Sequence, residues 1–190
     1  MLRLGILGST RGTVLVPIIE AIHKQSLAAS IEMIVSNKQD AGILEKAKTF
    51  KLPHQFVDPN NVVKDNYDKI LSDIFVGKAV DLIILIGYMR ILSDAFVTTW
   101  RNKIINVHPS LLPKFAGGMD KNVHQAVLDA GEAESGCTVH VVTEEVDSGP
   151  ILVQKKCVIE AGDTVLSLKD KVQLLEGQAL IEAIKQFNKN

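Results

Sequence analysis

Asn106 and His108 stand two residues apart at the end of the apolar run KIINV, and Pro109 follows at once. In an extended strand, residues i and i+2 project to the same side, so this amide and imidazole are expected to point together. Pro109 bars the helical region to His108 and holds it extended. A second polar cluster, TEEVDSGP, lies in a turn between two apolar segments, and there Asp147 could return a carboxylate to the same edge. The three groups suit acyl chemistry on a substrate that brings its own amine. Asn106 would donate to the oxygen of a carbonyl under attack, His108 would stabilise the oxyanion, and Asp147 would keep the imidazole charged and help collect the nucleophile's proton. Beside a carboxylate the imidazole pKa is expected to rise from its reference of about 6.5. Taken singly, Asn106 suits a turn cap, His108 a bond to a carbonyl and Asp147 a turn aspartate. Only the trio points to catalysis.

The elements that must position these residues follow from the pattern of apolar side chains. The short runs LRLGIL, IEMIVS, HQFV, VDLIILIG and KIINV alternate with longer segments of helical periodicity, which predicts βαβ units and a mostly parallel sheet flanked by helices, an α/β fold. Helices are predicted from Val14 to Gln25, Ala41 to Lys51, Val63 to Val76 and Ser93 to Trp100, the last two opening near Asp65 and Ser93 as caps. After Pro113 the pattern changes to a Gly-containing loop, a short helix from Asn122 to Ala130, and two strands, GCTVHVVT and PILVQKKCVIE, expected to extend the sheet in partly antiparallel fashion. Val165, Leu168, Val172, Leu175, Ala179 and Ile184 recur near helical spacing and predict a closing helix from Thr164 to Phe187. Nothing resembling a linker divides the chain, so residues 1–190 are expected to form one domain, with a βαβ half over 1–100 and a catalytic half over 101–190.

Two loops fall where ligands of open α/β sheets bind. GSTRGTV joins the first strand to the first helix with glycines and hydroxyls that could cradle a phosphate through backbone N–H groups, although its spacing is neither the dinucleotide fingerprint nor a P-loop. A tight turn with Ser9, Thr10 or Thr13 as a helix cap fits it equally well. GYMRILS leaves the fourth strand at the same edge, where Met89, Ile91 and Leu92 could wall an apolar pocket and Arg90 could meet an anion. His124 reads as helix surface and His140 as an ordinary strand residue.

Charge and composition narrow the partners. Lysine and arginine number 21 against 22 acidic residues, a net charge of -1, so no basic field exists to hold a nucleic acid. VDLIILIGYM, the longest apolar run, is too short and too acidic for a membrane span. MLRLGILGS shows no secretory leader, and a cytoplasmic location is expected. Cys137 and Cys157 read as core residues, and no His, Cys and carboxylate set has zinc spacing.

NVHPSLLPKF, followed by GCTVHVVTEEVDSGPILVQ, resembles the folate-dependent formyltransferases, and the similarity extends to VSNK, GYMRILS and the last helix. The resemblance implies a Rossmann-like formyltransferase fold, 10-formyltetrahydrofolate as donor, and no metal. It is strongest to the branch that formylates glycinamide ribonucleotide in purine synthesis. By position, Asn106, His108 and Asp147 coincide with the family's catalytic residues. The folate contacts it implies are Lys64, Met89, Arg90, Ile91, Leu92 and Asn106, and the ribonucleotide contacts are Arg11, Gly12, Thr13 and Glu176. A homodimer is compatible with it. Two departures are visible: the family's usual SGxGSN loop is here GSTRGT, and the loop FAGGMDKN is longer than in common members. A formyltetrahydrofolate deformylase resembles a longer chain, and a tRNA formyltransferase would need a further domain and a basic surface. Sugar-nucleotide formyltransferases and a non-catalytic folate binder remain alternatives.

Overall fold

The structure is a computed structural model that describes residues 1–118 and 121–187; Met119 and Asp120, in the FAGGMDKN loop, lie outside the described residues. In chain order the elements are β1 (Leu2–Gly8), α1 (Leu15–His23), β2 (Ala29–Ser36), α2 (Gly42–Thr49), β3 (His54–Phe56), α3 (Lys64–Gly77), β4 (Leu82–Ile86), α4 (Asp94–Thr99), β5 (Ile104–His108), α5 (Lys121–Asp129), β6 (Glu134–Val141), β7 (Ile151–Val158) and α6 (Val165–Phe187). The strands form one sheet in the order β3-β2-β1-β4-β5-β6-β7. The first five are parallel, and β6 and β7 are antiparallel to their neighbours, as the sequence pattern predicts.

Strand β4, LIILI, is buried on both faces, which is why it reads as an unbroken apolar run. Its alternate side chains serve two layers. Leu82, Ile84 and Ile86 pack with residues of α1, α2, α5 and α6, whereas Ile83 and Leu85 pack against Tyr67, Leu71 and Phe75 of α3 and Phe96 and Val97 of α4. Each such side chain contributes roughly 1.5–3 kcal/mol by leaving water.

The order in which strands are added reverses between the parallel neighbours β1 and β4, so the connections that follow these two strands diverge and leave a crevice at their carboxyl ends. The two expected helix caps differ. Ser93 caps α4, its Oγ accepting the Phe96 N–H at 3.3 Å, while Asp68 of α3 accepts the Ser93 N–H at 2.6 Å. Asp65 is not a cap: α3 already begins at Lys64 without a side-chain cap, and Asp65 lies in its first turn, where its charge suits the helix dipole.

Candidate active site

Asn106 and His108 leave β5 toward the α3–α4 layer, because Ile105 and Val107 between them point into the opposite one. Antiparallel pairing sets His140 of β6 directly across from Asn106 and Thr138 across from His108. That register also means that the β6–β7 connection departs from the amino-terminal end of β5. Asp147 therefore does not arrive by a simple turn at the strand tips; it folds back over the sheet face, in a left-handed backbone conformation with φ 54°. Aspartate tolerates that region better than most residues, and such conformations gather at functional sites.

The result is a buried polar array. His108 Nδ1 lies 3.3 Å from Asp147 Oδ2, and His140 Nε2 lies 3.5 Å from Asp147 Oδ1. The Gly117 N–H donates to Asp147 Oδ2 at 2.8 Å. Two carbonyls, which can only accept, assign the ring hydrogens: Phe115 O faces His108 Nε2 at 3.0 Å and Val141 O faces His140 Nδ1 at 3.0 Å. In its neutral form His108 thus carries hydrogen on Nε2 and presents a bare Nδ1 to the carboxylate. His140 Nε2 lies 3.2 Å from Asn106 Nδ2 and 3.5 Å from Asp147 Oδ1, and the Asn106 amide has a second hydrogen to offer.

Burial pulls the His108 imidazole below its ordinary value, and the Asp147 carboxylate and the Phe115 carbonyl only partly restore it against a further push from His140. This corrects the expectation of a raised pKa: the side chain is only 4% exposed, and desolvation of the cation outweighs its partner. For Asp147, burial acts upward, but the contact with His140, the Gly117 N–H and the His108 ring hold the carboxyl below the usual carboxylate range. The carboxyl is thus biased toward its ionised form and the imidazole toward its neutral form.

The loop that carries Phe115 and Gly117 is fastened by buried Thr138. Its Oγ1 donates to Ser110 O at 2.7 Å and accepts the Leu112 N–H at 3.0 Å, while Gln154 Nε2 donates to Leu112 O at 2.8 Å. None of this is legible in SLLPKF, since every partner is distant in sequence.

A cavity of about 380 Å³ opens over the trio and into the crevice between β1 and β4. Asn106, His108, His140 and Asp147 form its floor, and Met89, Arg90, Ile91, Leu92, Val97 and Val142 form one wall. Arg11, Gly12 and Thr13 line the other end, together with Lys169, Gln173 and Glu176, which are spaced i, i+4 and i+7 on α6. Gly12 has φ +60°, and a Cβ there would come 2.5 Å from Ile43, so only glycine allows the loop to close on α2. The loop's hydroxyls do not cap α1, which has no side-chain cap.

Of the expected contacts, only Lys64 is not brought into the cavity wall. It is exposed at the start of α3, where only a part of a ligand reaching out of the cavity could meet it. Three residues were undervalued by sequence reasoning. His124 is not on a helix surface but 1% exposed and in the cavity lining, as is His140, and Lys169 is a buried lysine of the same wall. For His140 a signal existed, since it continues the i, i+2 series of Thr138, but its meaning depends on the strand register. Among the described residues, no cluster of three or more His, Cys, Asp or Glu could hold a metal, and no helix is long and apolar enough to cross a membrane. Cys137 and Cys157 are both free thiols, and burial pushes the Cys137 thiol up to about 12.

A doubly wound sheet with an amide, an imidazole and a carboxylate meeting beside its crevice is the architecture of a formyl-transferring enzyme. The chain belongs to the formyl transferase family, which matches residues 2–184. Phosphoribosylglycinamide formyltransferase of Haemophilus influenzae is 39% identical over 188 residues, covering 98% of this chain and 87% of that protein. The trifunctional purine biosynthetic protein adenosine-3 of Bos taurus is 36% identical over 185 residues; the match takes in 96% of this chain but only 18% of that much longer protein. The crystal structure of glycinamide ribonucleotide transformylase 1 from Symbiobacterium toebii superposes with a TM-score of 0.95 at 34% identity, over 100% of this chain and 88% of that one.

Proposed function

We infer that the chain transfers a formyl group from 10-formyltetrahydrofolate to the amino group of glycinamide ribonucleotide, a step of de novo purine synthesis, with residues 1–190 working as one formyltransferase domain. The observation that carries this is the meeting of Asn106, His108 and Asp147 in the lining of one cavity, with His108 Nδ1 3.3 Å from Asp147 Oδ2. The cavity's two ends suit two substrates. The apolar wall of Met89, Ile91 and Leu92 suits a flat ring system, with Arg90 for an anionic tail, and Lys64 stands outside for whatever extends into solvent. Arg11, Gly12 and Thr13 suit a phosphate, and Glu176 the glycinamide portion of the acceptor. 10-Formyltetrahydrofolate supplies the formyl carbon and a nitrogen leaving group.

As the acceptor amine bonds to the formyl carbon, the carbonyl π pair moves onto oxygen, and Asn106 donates its second amide hydrogen to that oxyanion. His108 takes the proton lost by the amine on Nδ1, where Asp147 receives it as a hydrogen bond. The imidazolium so formed places its positive charge near the oxyanion. When the oxygen pair returns and the bond to the folate nitrogen breaks, His108 gives the proton to that nitrogen. Protons balance, and the resting site is restored. No side-chain nucleophile and no metal enter these steps.

The test is to mix the protein with 10-formyltetrahydrofolate and follow deformylated folate with and without glycinamide ribonucleotide. Turnover that requires the acceptor, with formylglycinamide ribonucleotide as product, is the expected result. Turnover without it makes the protein a hydrolase, and turnover only with an amino-sugar nucleotide moves it to that branch of the family.

A further inference from the structure

Ser9 follows β1 directly, is 4% exposed, and stands behind the cavity instead of lining it. Its hydroxyl donates to Asn37 Oδ1 at 2.5 Å and accepts the Met89 N–H at 2.9 Å across 80 positions of sequence. Its own N–H donates to Gly87 O at 3.1 Å. A serine hydroxyl has one hydrogen, so spending it on Asn37 turns a lone pair toward Met89. Gly87 completes the join: it has φ +56°, and a Cβ there would come 2.4 Å from Thr10 Oγ1, so the two loops are in direct contact. One small side chain thus ties together the carboxyl ends of β1, β2 and β4. It does so between the loop offered to the acceptor phosphate and the loop whose Met89, Ile91 and Leu92 form the apolar wall.

We propose that Ser9 is a positioning residue for the folate donor: without touching either substrate, it holds the Met89 peptide and so sets the pose of the wall against which the donor's ring system lies. This rests on the assignment of that wall to the donor. The acceptor loop does not depend on Ser9 in the same way. Arg11 O accepts Lys46 Nζ at 2.7 Å and Thr10 O accepts the Ile43 N–H at 3.0 Å, so α2 secures that loop independently. Loss of the Ser9 hydroxyl should therefore fall on one substrate.

The experiment measures dissociation constants for tetrahydrofolate and for glycinamide ribonucleotide separately, by calorimetry, in wild-type protein, Ser9→Ala and Asn37→Ala, alongside melting temperatures. Ser9→Ala leaves the partly buried Met89 N–H without its acceptor, and tetrahydrofolate binding is expected to weaken about tenfold while ribonucleotide binding stays within about twofold. Asn37→Ala, which frees the hydroxyl to rotate, should weaken tetrahydrofolate in the same direction by a smaller factor. Equal weakening of both ligands, or unchanged tetrahydrofolate affinity in Ser9→Ala, overturns the proposal. If Ser9→Ala fails to fold, folded Asn37→Ala decides: unchanged tetrahydrofolate affinity there overturns it. Wild-type protein that does not bind tetrahydrofolate overturns the donor assignment itself, and is told apart because no variant is involved.

Discussion

The proposed mechanism asks His108 to be neutral at rest and charged in passing, and its surroundings suit both conditions. Burial disfavours the cation, while Asp147 waits on the nitrogen that will receive the proton. If the base form of His108 does the work, as proposed, kcat/KM should hold below the reference histidine pKa of about 6.5 and fall only through the depressed value. Replacing Asp147 by Asn removes the charge that raises His108, so the acid limb should move still lower, and kcat should drop by about 10²–10⁴-fold. Tetrahydrofolate affinity should change far less; equal losses in both would make Asp147 a fold element. Stability follows the same sign. Unfolded His108 takes up a proton as pH falls through about 6.5 while the folded residue stays neutral, so denaturant midpoints should decline across that window until the folded ring titrates. Asp147 adds a second loss at lower pH, as its depressed carboxyl is protonated. Asn106→Ala should cost about 10²–10³-fold in kcat with both affinities retained, the signature of a donor used at the oxyanion.

At the scale of elements, the site depends on residues outside the cavity lining. The Phe115 carbonyl assigns the His108 tautomer, and it is delivered by a loop held by Thr138 of β6. Thr138→Val keeps the shape but leaves Ser110 O and Leu112 N–H without that partner. A loss of about 1–3 kcal/mol is expected in chemical unfolding, together with a fall in kcat at unchanged ribonucleotide affinity. The first loop is held locally: Gly12 and Ile43 close it against α2. The periodicities that define β1 to β5 and the six helices are local and could be read directly from the residues. Loop fastenings could not, since Ser9 to Met89 and Thr138 to Ser110 are contacts between segments whose meeting the pattern does not specify.

Across the whole molecule, two apolar layers pack on opposite faces of the sheet. Ile84, at the middle of β4 and 0% exposed, belongs to the layer that includes α1 and α6, whereas Asn106 and His108 lie toward the other face. Ile84→Ala should destabilise the fold by about 2–5 kcal/mol through lost transfer energy and a cavity, measured by denaturant titration. Turnover per folded molecule should stay near wild type, because the substitution reaches the site only through the sheet.

From the sequence alone came the α/β alternation, the antiparallel end of the sheet and the shared side of Asn106 and His108. Each follows from spacing along the chain. Only the folded chain decided that His140 faces Asn106, that His124 and Lys169 are buried in the cavity wall, that Lys64 stands outside it, and that burial outweighs Asp147 at His108. Those are matters of which strand pairs with which, and of what shuts out water. They depend on residues far apart in the chain and become definite only when the layers close.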